Sequence, residues 1–305
     1  MTTTVRPAVA VLGMGNMGQA LAARLLGLNY PVWIWNRSAR DLVALTDIGA
    51  RVLASRSSIW KVADVAITFV ANDDALRDVC LGSEGILREP VGEGLFIDMS
   101  TVSPEVSEEI AGAAERAGVD YLRSPVSGNP SVLAAGGLTL IVSGSAGAVE
   151  RWRSLLADIG PTVRYVGGEE QARLVKLAIN AGLAITTEML AELIVLTERF
   201  GLDRESFLEV LGQSVLGSAF VKYKSTGLLA RNYEATFTTA LLAKDLRLAL
   251  DLAHKAQLSL PAIELTASLV EGALDGYADA DFAALLPHLQ RAHGQALDLP
   301  PTTCE

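Results

Sequence analysis

Residues 8–27 read AVAVLGMGNMGQALAARLLG, and the fold turns on them. Ala8 to Leu12 have the length and apolar, β-branched content of a buried strand. Gly13, Met14, Gly15, Asn16, Met17 and Gly18 follow at once, and an alanine- and leucine-rich run at helical spacing closes the stretch. A bare G-x-G-x-x-G is a weak signal. Between a strand and a helix it predicts a dinucleotide-binding turn. Gly13 allows the tight turn, Gly15 lets backbone N–H groups approach a pyrophosphate, and Gly18 lets the helix pack closely on the strand. The helix N-terminus adds a partial positive charge. The plainer alternative is a glycine-rich turn that holds no ligand.

Four further apolar runs of four to six residues follow, at Val32 to Trp35, Val65 to Val70, Leu95 to Met99 and Leu138 to Val142. Amphipathic segments lie between several of them. Ser103-Pro104 ahead of EVSEEIAGAAERAG reads as an N-cap, a proline at the first helical position and a glycine stop. Ser38 with Asp41 three residues on resembles a weaker capping box before DLVALTDIGA. Strand, helix, strand with buried strands predicts a mostly parallel, doubly wound α/β sheet of Rossmann type over residues 1–167. After Gly167-Gly168 the pattern changes. From Glu169 to Phe200 there is no proline, and apolar residues recur at spacings of one, three and four, which predicts one helix over about 169–200. More helix is expected over 203–211, 237–255, 261–274 and 280–293, so residues 168–305 read as an all-helical domain for substrate binding and dimerisation.

The chain has 305 residues, half of them hydrophobic, and a formal net charge of −10. That is enough for two domains. No basic stripe is present to neutralise phosphate backbones, which argues against a nucleic-acid partner. Mean hydropathy is positive, yet polar residues such as Lys176, Asn180, Glu188 and Glu192 interrupt the most apolar stretch, so no membrane partner is expected. The N-terminus carries no cleavable signal pattern, and a cytoplasmic location is the expectation. Two cysteines, Cys80 and Cys304, and three late histidines, His254, His288 and His293, offer no metal-ligand spacing. No metal is expected.

Cofactor choice is read at the end of the second strand. An NAD site usually places Asp or Glu there to bind the ribose 2′-hydroxyl. Here stand Asn36, Arg37 and Ser38, with no carboxylate before Asp41. A guanidinium can hold a 2′-phosphate in bidentate fashion with help from a hydroxyl and an amide, so NADP (NADPH) is preferred over NAD. Alternatively, Arg37 pairs with Asp41 on the helix surface. Val70, Ala71 and Asn72, at the end of the third run, complete the expected cofactor set.

Four motifs in order resemble the β-hydroxyacid dehydrogenases, the family of 6-phosphogluconate and 3-hydroxyisobutyrate dehydrogenases, over nearly the whole chain. They are the glycine turn ending in Met17-Gly18, Asp98-Met99-Ser100-Thr101-Val102-Ser103-Pro104, Ser124-Pro125-Val126-Ser127-Gly128-Asn129, and Gly167-Gly168 through Lys176 to Asn180. Lys244-Asp245-Leu246 joins the last. The resemblance implies that Lys176 is catalytic, donating the proton in carbonyl reduction and taking it in oxidation. It implies that Ser127 and Gly128 bind a substrate carboxylate and that Thr101 and Lys244 approach the nicotinamide end of the cofactor. Phe237 and TTALLA would line an apolar pocket wall. Lys176 and Asn180 stand four apart, on one helix face about 6 Å apart along the axis. Apolar neighbours would lower the lysine pKa, unless Lys176 snorkels to solvent. Asn180 would orient lysine or substrate. The chain departs from the family's second glycine at Asn129, which is followed by Pro130, and Arg123-Ser124 replace the usual Asp-Ala. Asn129 is thus placed beside the substrate, and the family's usual small substrates are put in question.

The expected activity is reduction of a small 3-oxo acid or aldehyde acid by NADPH, or the reverse. An imine reductase of the same superfamily is the alternative, and a catalytically inactive interaction module is the third. A helix of about 45 Å outreaches a small domain, so a homodimer or a higher even oligomer is expected.

Overall fold

The computed structural model describes residues 6–294. The chain divides into two compact units between Lys176 and Leu177. In the first, the strands are β1 (Val9–Leu12), β2 (Val32–Trp35), β3 (Arg51–Val52), β4 (Val65–Thr68), β5 (Leu95–Asp98), β6 (Asp120–Arg123), β7 (Val126–Ser127), β8 (Thr139–Gly144) and β9 (Thr162–Gly167). They form one sheet in the order β3-β2-β1-β4-β5-β6-β8-β7, with β9 paired to β8. Pairing is parallel from β3 to β6, and β8 runs antiparallel to both β6 and β7. The strand order reverses between β1 and β4, the kind of switch point at which open α/β sheets bind ligands.

The helices of this unit are α1 (Asn16–Gly27), α2 (Val43–Asp47), α3 (Asp73–Leu81), α4 (Pro104–Ala117), α5 (Pro130–Ala134), α6 (Ala146–Arg151) and α7 (Arg153–Ile159). Two apolar cores follow. Val9, Val11, Ile34 and Ile67 point into one with α1, while Ala10, Leu12, Ala66 and Phe96 point into the other with α3 and α4. Strands buried on both faces are therefore mostly apolar, which is why β1, β4 and β5 stood out as runs, with Thr68 and Asp98 at the carboxyl ends of β4 and β5 as buried exceptions. The sequence expectation missed β3, β6, β7 and β9. β3 and β7 have two residues each, β6 opens on Asp120 and closes on Arg123, and β9 is half-exposed with Arg164 in its middle.

The cap on α4 forms as expected: Ser103 Oγ accepts from Val106 N at 3.2 Å, Pro104 opens the helix, and Gly118 closes it at φ 75°. The Ser38–Asp41 capping box does not form. Asp41 Oδ1 accepts from Val43 N at 3.0 Å, two residues on, and α2 starts later and is short.

A continuous helix, α8 (Gln171–Arg199), runs out of the first unit into the second. There α9 (Arg204–Gln213), α10 (Ala219–Ala230), α11 (Thr239–Lys255), α12 (Pro261–Tyr277) and α13 (Leu285–Ala292) follow. Their core gathers Ala184, Leu190 and Ile194 of α8 with Leu242, Leu246, Val270, Phe282 and Leu286. α10, whose charge and small residues hid its period, was not expected. The helix expected from Ala280 begins instead as a 3-10 turn capped by Asp281, which also bridges to Thr238. By length and composition α8 could cross a membrane, contrary to the sequence expectation, although 44% of its most apolar window is buried inside the protein.

Candidate functional site

The glycine turn is built as the residues require. Gly13 sits at φ 96°, and a Cβ there would stand 2.1 Å from Phe69 O. A Cβ on Gly18 would stand 1.9 Å from Gly13 O, so the helix lies against the turn. Gly15 is the N-cap of α1. Its first turn accepts no side-chain cap and holds no acidic residue, and a Cβ on Gly15 would meet nothing within 4 Å. Unfilled helix N–H groups with open approach above them suit a dinucleotide pyrophosphate. The residues fit that group.

Several members of the expected cofactor set are engaged within the protein. Met14 N donates to Asn36 Oδ1 at 3.0 Å, and Asn36 Nδ2 donates to Ser38 O at 2.9 Å. Asn36 thus braces the turn, and Met14 is fully buried. Arg37 and Ser38 are exposed just beyond β2, and among the described residues Arg37 makes no ion pair with Asp41. A second arginine escaped the sequence reading. Arg56 is buried, holds both oxygens of Asp78 at 2.8 Å, and lies 5.0 Å over the Trp35 ring. It holds the Asp78 carboxyl below its ordinary pKa, with a smaller contribution from Arg37.

At the ends of β4 and β5, Val70 N donates to Ser100 Oγ at 2.9 Å. Asn72 is the N-cap of α3, accepting from Ala75 N at 2.9 Å, and Ala71 lies exposed between them. Thr101 is half-buried in the next loop. Ser127 ends β7 and Gly128 follows it at φ 137°, both exposed. Asn129 Oδ1 accepts from Val132 N at 2.9 Å and caps α5, with Pro130 at the first helical position. The amide oxygen is thus a cap, and proline there removes a donor the helix does not use. Arg123 likewise turns inward. It is buried, pairs with Glu170 and stacks 4.7 Å over Tyr121. Its charge is answered by Glu170.

Lys176 is half-buried, between the burial among apolar neighbours and the snorkelling to solvent that its sequence context allows. Asn180, one turn further along α8, is 2% exposed. In the second unit its Nδ2 donates to Asp245 Oδ2 at 2.5 Å, and Lys244 Nζ lies 2.9 Å from Asp245 Oδ1. Asp245 is buried, and Asn180 Oδ1 is buried without a hydrogen-bond partner among the described residues. The carboxylate fixes which end of the Asn180 amide faces away as an acceptor. Phe237, expected at a pocket wall, packs edge-on to Phe282 with centroids 5.6 Å apart. Glu188, two turns beyond Asn180, is buried, and burial reinforced by Glu192 pushes its carboxyl up to about 7.

Sequence reasoning also missed Arg173. Its 1% exposed guanidinium holds Asp98, and no motif marks it. Among the described residues no group of His, Cys, Asp and Glu could hold a metal ion. Cys80 is buried, and Cys304 lies outside the described residues.

The family model for the NAD binding domain of 6-phosphogluconate dehydrogenase matches residues 8–167. That for the NAD-binding domain of NADP-dependent 3-hydroxyisobutyrate dehydrogenase matches residues 171–289. The chain is 34% identical to the uncharacterized oxidoreductase YfjR of Bacillus subtilis, covering 91% of this chain and 98% of that protein. It is 31% identical to a 3-hydroxyisobutyrate dehydrogenase of Pseudomonas aeruginosa, over 91% of this chain and 95% of that one. Against the cytokine-like nuclear factor N-PAC of Xenopus tropicalis it is 30% identical over 80% of its own length, but spans only 46% of that protein. Among solved structures, Psf3 in complex with NADP+ and 2-OPP superposes with a TM-score of 0.84 at 28% identity, over 92% of this chain and all of that one.

Proposed function

The chain belongs to the β-hydroxyacid dehydrogenase family, and on that premise we propose an NADP(H)-dependent oxidoreductase that interconverts a small hydroxy acid and its aldehyde or oxo acid, with Lys176 as proton donor and acceptor. The observation that carries this reading is the buried Asn180–Asp245 pair one turn from Lys176, with Lys244 on the same carboxylate. Buried polar groups are costly unless they are hydrogen-bonded, and here Asn180 Oδ1 is left buried without a partner among the described residues, as an acceptor kept for a ligand would be. A chain kept only as an interaction module gains nothing from holding them.

Bound at the glycine turn, the nicotinamide cofactor would supply or accept the hydride. The Gly15-to-Met17 end of α1 would bind its pyrophosphate, and Arg37 with Ser38 would hold the 2′-phosphate. The absence of a carboxylate at the end of β2 supports NADP, as does the NADP+ bound in Psf3. Ser127 with the backbone at Gly128 would hold the substrate carboxylate. During reduction the Lys176 ammonium gives a proton to the oxygen of the former carbonyl; during oxidation the amine takes it back. The apolar residues that α8 leaves exposed, Leu174, Ile179 and Leu196, support a second copy as partner.

The test is turnover of glyoxylate, succinic semialdehyde, methylmalonate semialdehyde, tartronate semialdehyde and a cyclic imine, each with NADPH and NADH. Lys176→Ala is expected to bind NADPH nearly as the wild type does and to lose about 10² to 10⁴-fold in kcat. Turnover of the imine alone would move the chain to the imine reductases. A Lys176→Ala variant that keeps most of its activity would remove the lysine from the reaction.

A further inference from the structure

Three residues before Lys176, Arg173 is buried and hydrogen-bonds at every nitrogen. Nη2 donates to Asp98 Oδ2 at 2.5 Å and to Tyr121 Oη at 3.1 Å. Nη1 donates to Ser100 O at 2.6 Å, and Nε to Ser107 Oγ at 3.2 Å. Asp98 in turn accepts on Oδ1 from Thr68 Oγ1 at 2.6 Å and from Ser100 N at 3.1 Å. Ser100 Oγ accepts from Val70 N. One guanidinium on the first turn of α8 therefore locks the carboxyl ends of β4 and β5, including the residue before Thr101. All these groups belong to the first unit.

Resting on the function proposed above, we propose that Arg173 is a positioning residue that sets Lys176 relative to the Ser100-Thr101 turn, where the nicotinamide ribose is expected. Three residues of helix separate the two side chains by about 4.5 Å along the axis. A rigid fork at one end of that lever fixes the other. Lysine could keep the charge toward Asp98 but lacks the planar fork that also reaches Ser100 O. A displacement of about 1 Å in a reacting group is enough to cost about 10²-fold in rate.

A structural role alone must be separated from positioning. Arg173→Met leaves Asp98 buried and uncompensated, so it is expected to destabilise the fold. Arg173→Met combined with Asp98→Asn removes both charges and is expected to recover most of the melting temperature. With NADPH and the panel aldehyde that the wild type reduces fastest, the double variant should still show kcat down about 10²-fold, with Kd for NADPH changed less than tenfold. Arg173→Lys should also stay slow. A double variant that regains full kcat together with its melting temperature overturns the positioning role. Lys176→Met run alongside separates the two claims. If it is inactive while the double variant is fast, only the role of Arg173 falls. If Lys176→Met is itself active, the proton role of Lys176 falls, and the positioning role with it.

Discussion

On the function proposed, the cofactor preference would rest on the exposed Arg37, because Asn36, its neighbour, is spent on Met14 N and on Ser38. Arg56, which lies over the Trp35 ring at the end of β2, is spent on Asp78. Arg37→Asp would put a negative charge against a 2′-phosphate and offer an acceptor to a ribose hydroxyl. The NADPH/NADH ratio of kcat/KM is expected to fall by about 10²-fold or more, since one charged hydrogen-bonded pair contributes roughly 1.5 to 3 kcal/mol and repulsion adds to the loss. Steady-state kinetics with both cofactors measures it, and an unchanged ratio would sink the assignment. The motif residues themselves were legible because each has a chemical reason to be of its type. Arg173 and Arg56 were not, since an arginine becomes a hub only when the chain brings Asp98 or Asp78 to it.

Along α8, function and burial share one helix. Glu170, the residue before it, pairs with Arg123 of β6, Arg173 in its first turn holds Asp98 of β5, and its later residues belong to the core of the helical unit. Glu188 lies in that middle stretch with its carboxyl raised from 4.5 to about 7, first by burial and then by Glu192. A raised carboxyl pKa means that the folded state keeps a proton which the unfolded chain has lost. Stability then falls as pH rises from about 4.5 through about 7. Glu188→Gln should therefore raise the melting temperature at about pH 8 and change it little at about pH 4, where both states are protonated. Calorimetry at the two pH values tests this. A variant less stable than the wild type at the higher pH would mean that the carboxylate has a favourable partner.

Each of the two units has its own core, and each leaves apolar side chains exposed, the helical one several of them on its helices. Beyond the exposed residues of α8, Phe200 is 84% exposed and Val210 70%. Scattered apolar residues are ordinary on a surface, but a long helix with several on one element is the kind that symmetric dimers cover. Light scattering should return at least twice the 32.2 kDa chain mass at micromolar concentration. A stable monomer there would contradict the dimer.

Local covalent character was enough to write the βα-turn, the proline-opened α4 and the 29-residue α8 into the sequence. Glycine at a positive φ, a serine before a proline and a 3.6-residue apolar period each act within one turn of chain. That reach also covers the order of the family motifs and the missing carboxylate after β2. What the tertiary structure alone decided lies between segments distant in sequence. Asn129 became a helix cap because α5 begins there, and Arg123 met Glu170 because β6 ends beside the start of α8. Asn180 became an oriented acceptor because α11 carries Asp245 to it across 65 residues. Short or half-exposed strands such as β3 and β9 exist only by pairing with neighbours, so no period of their own announced them. Hydrogen bonds and ion pairs across a fold depend on where the chain returns, and that is settled by burying all the apolar faces together.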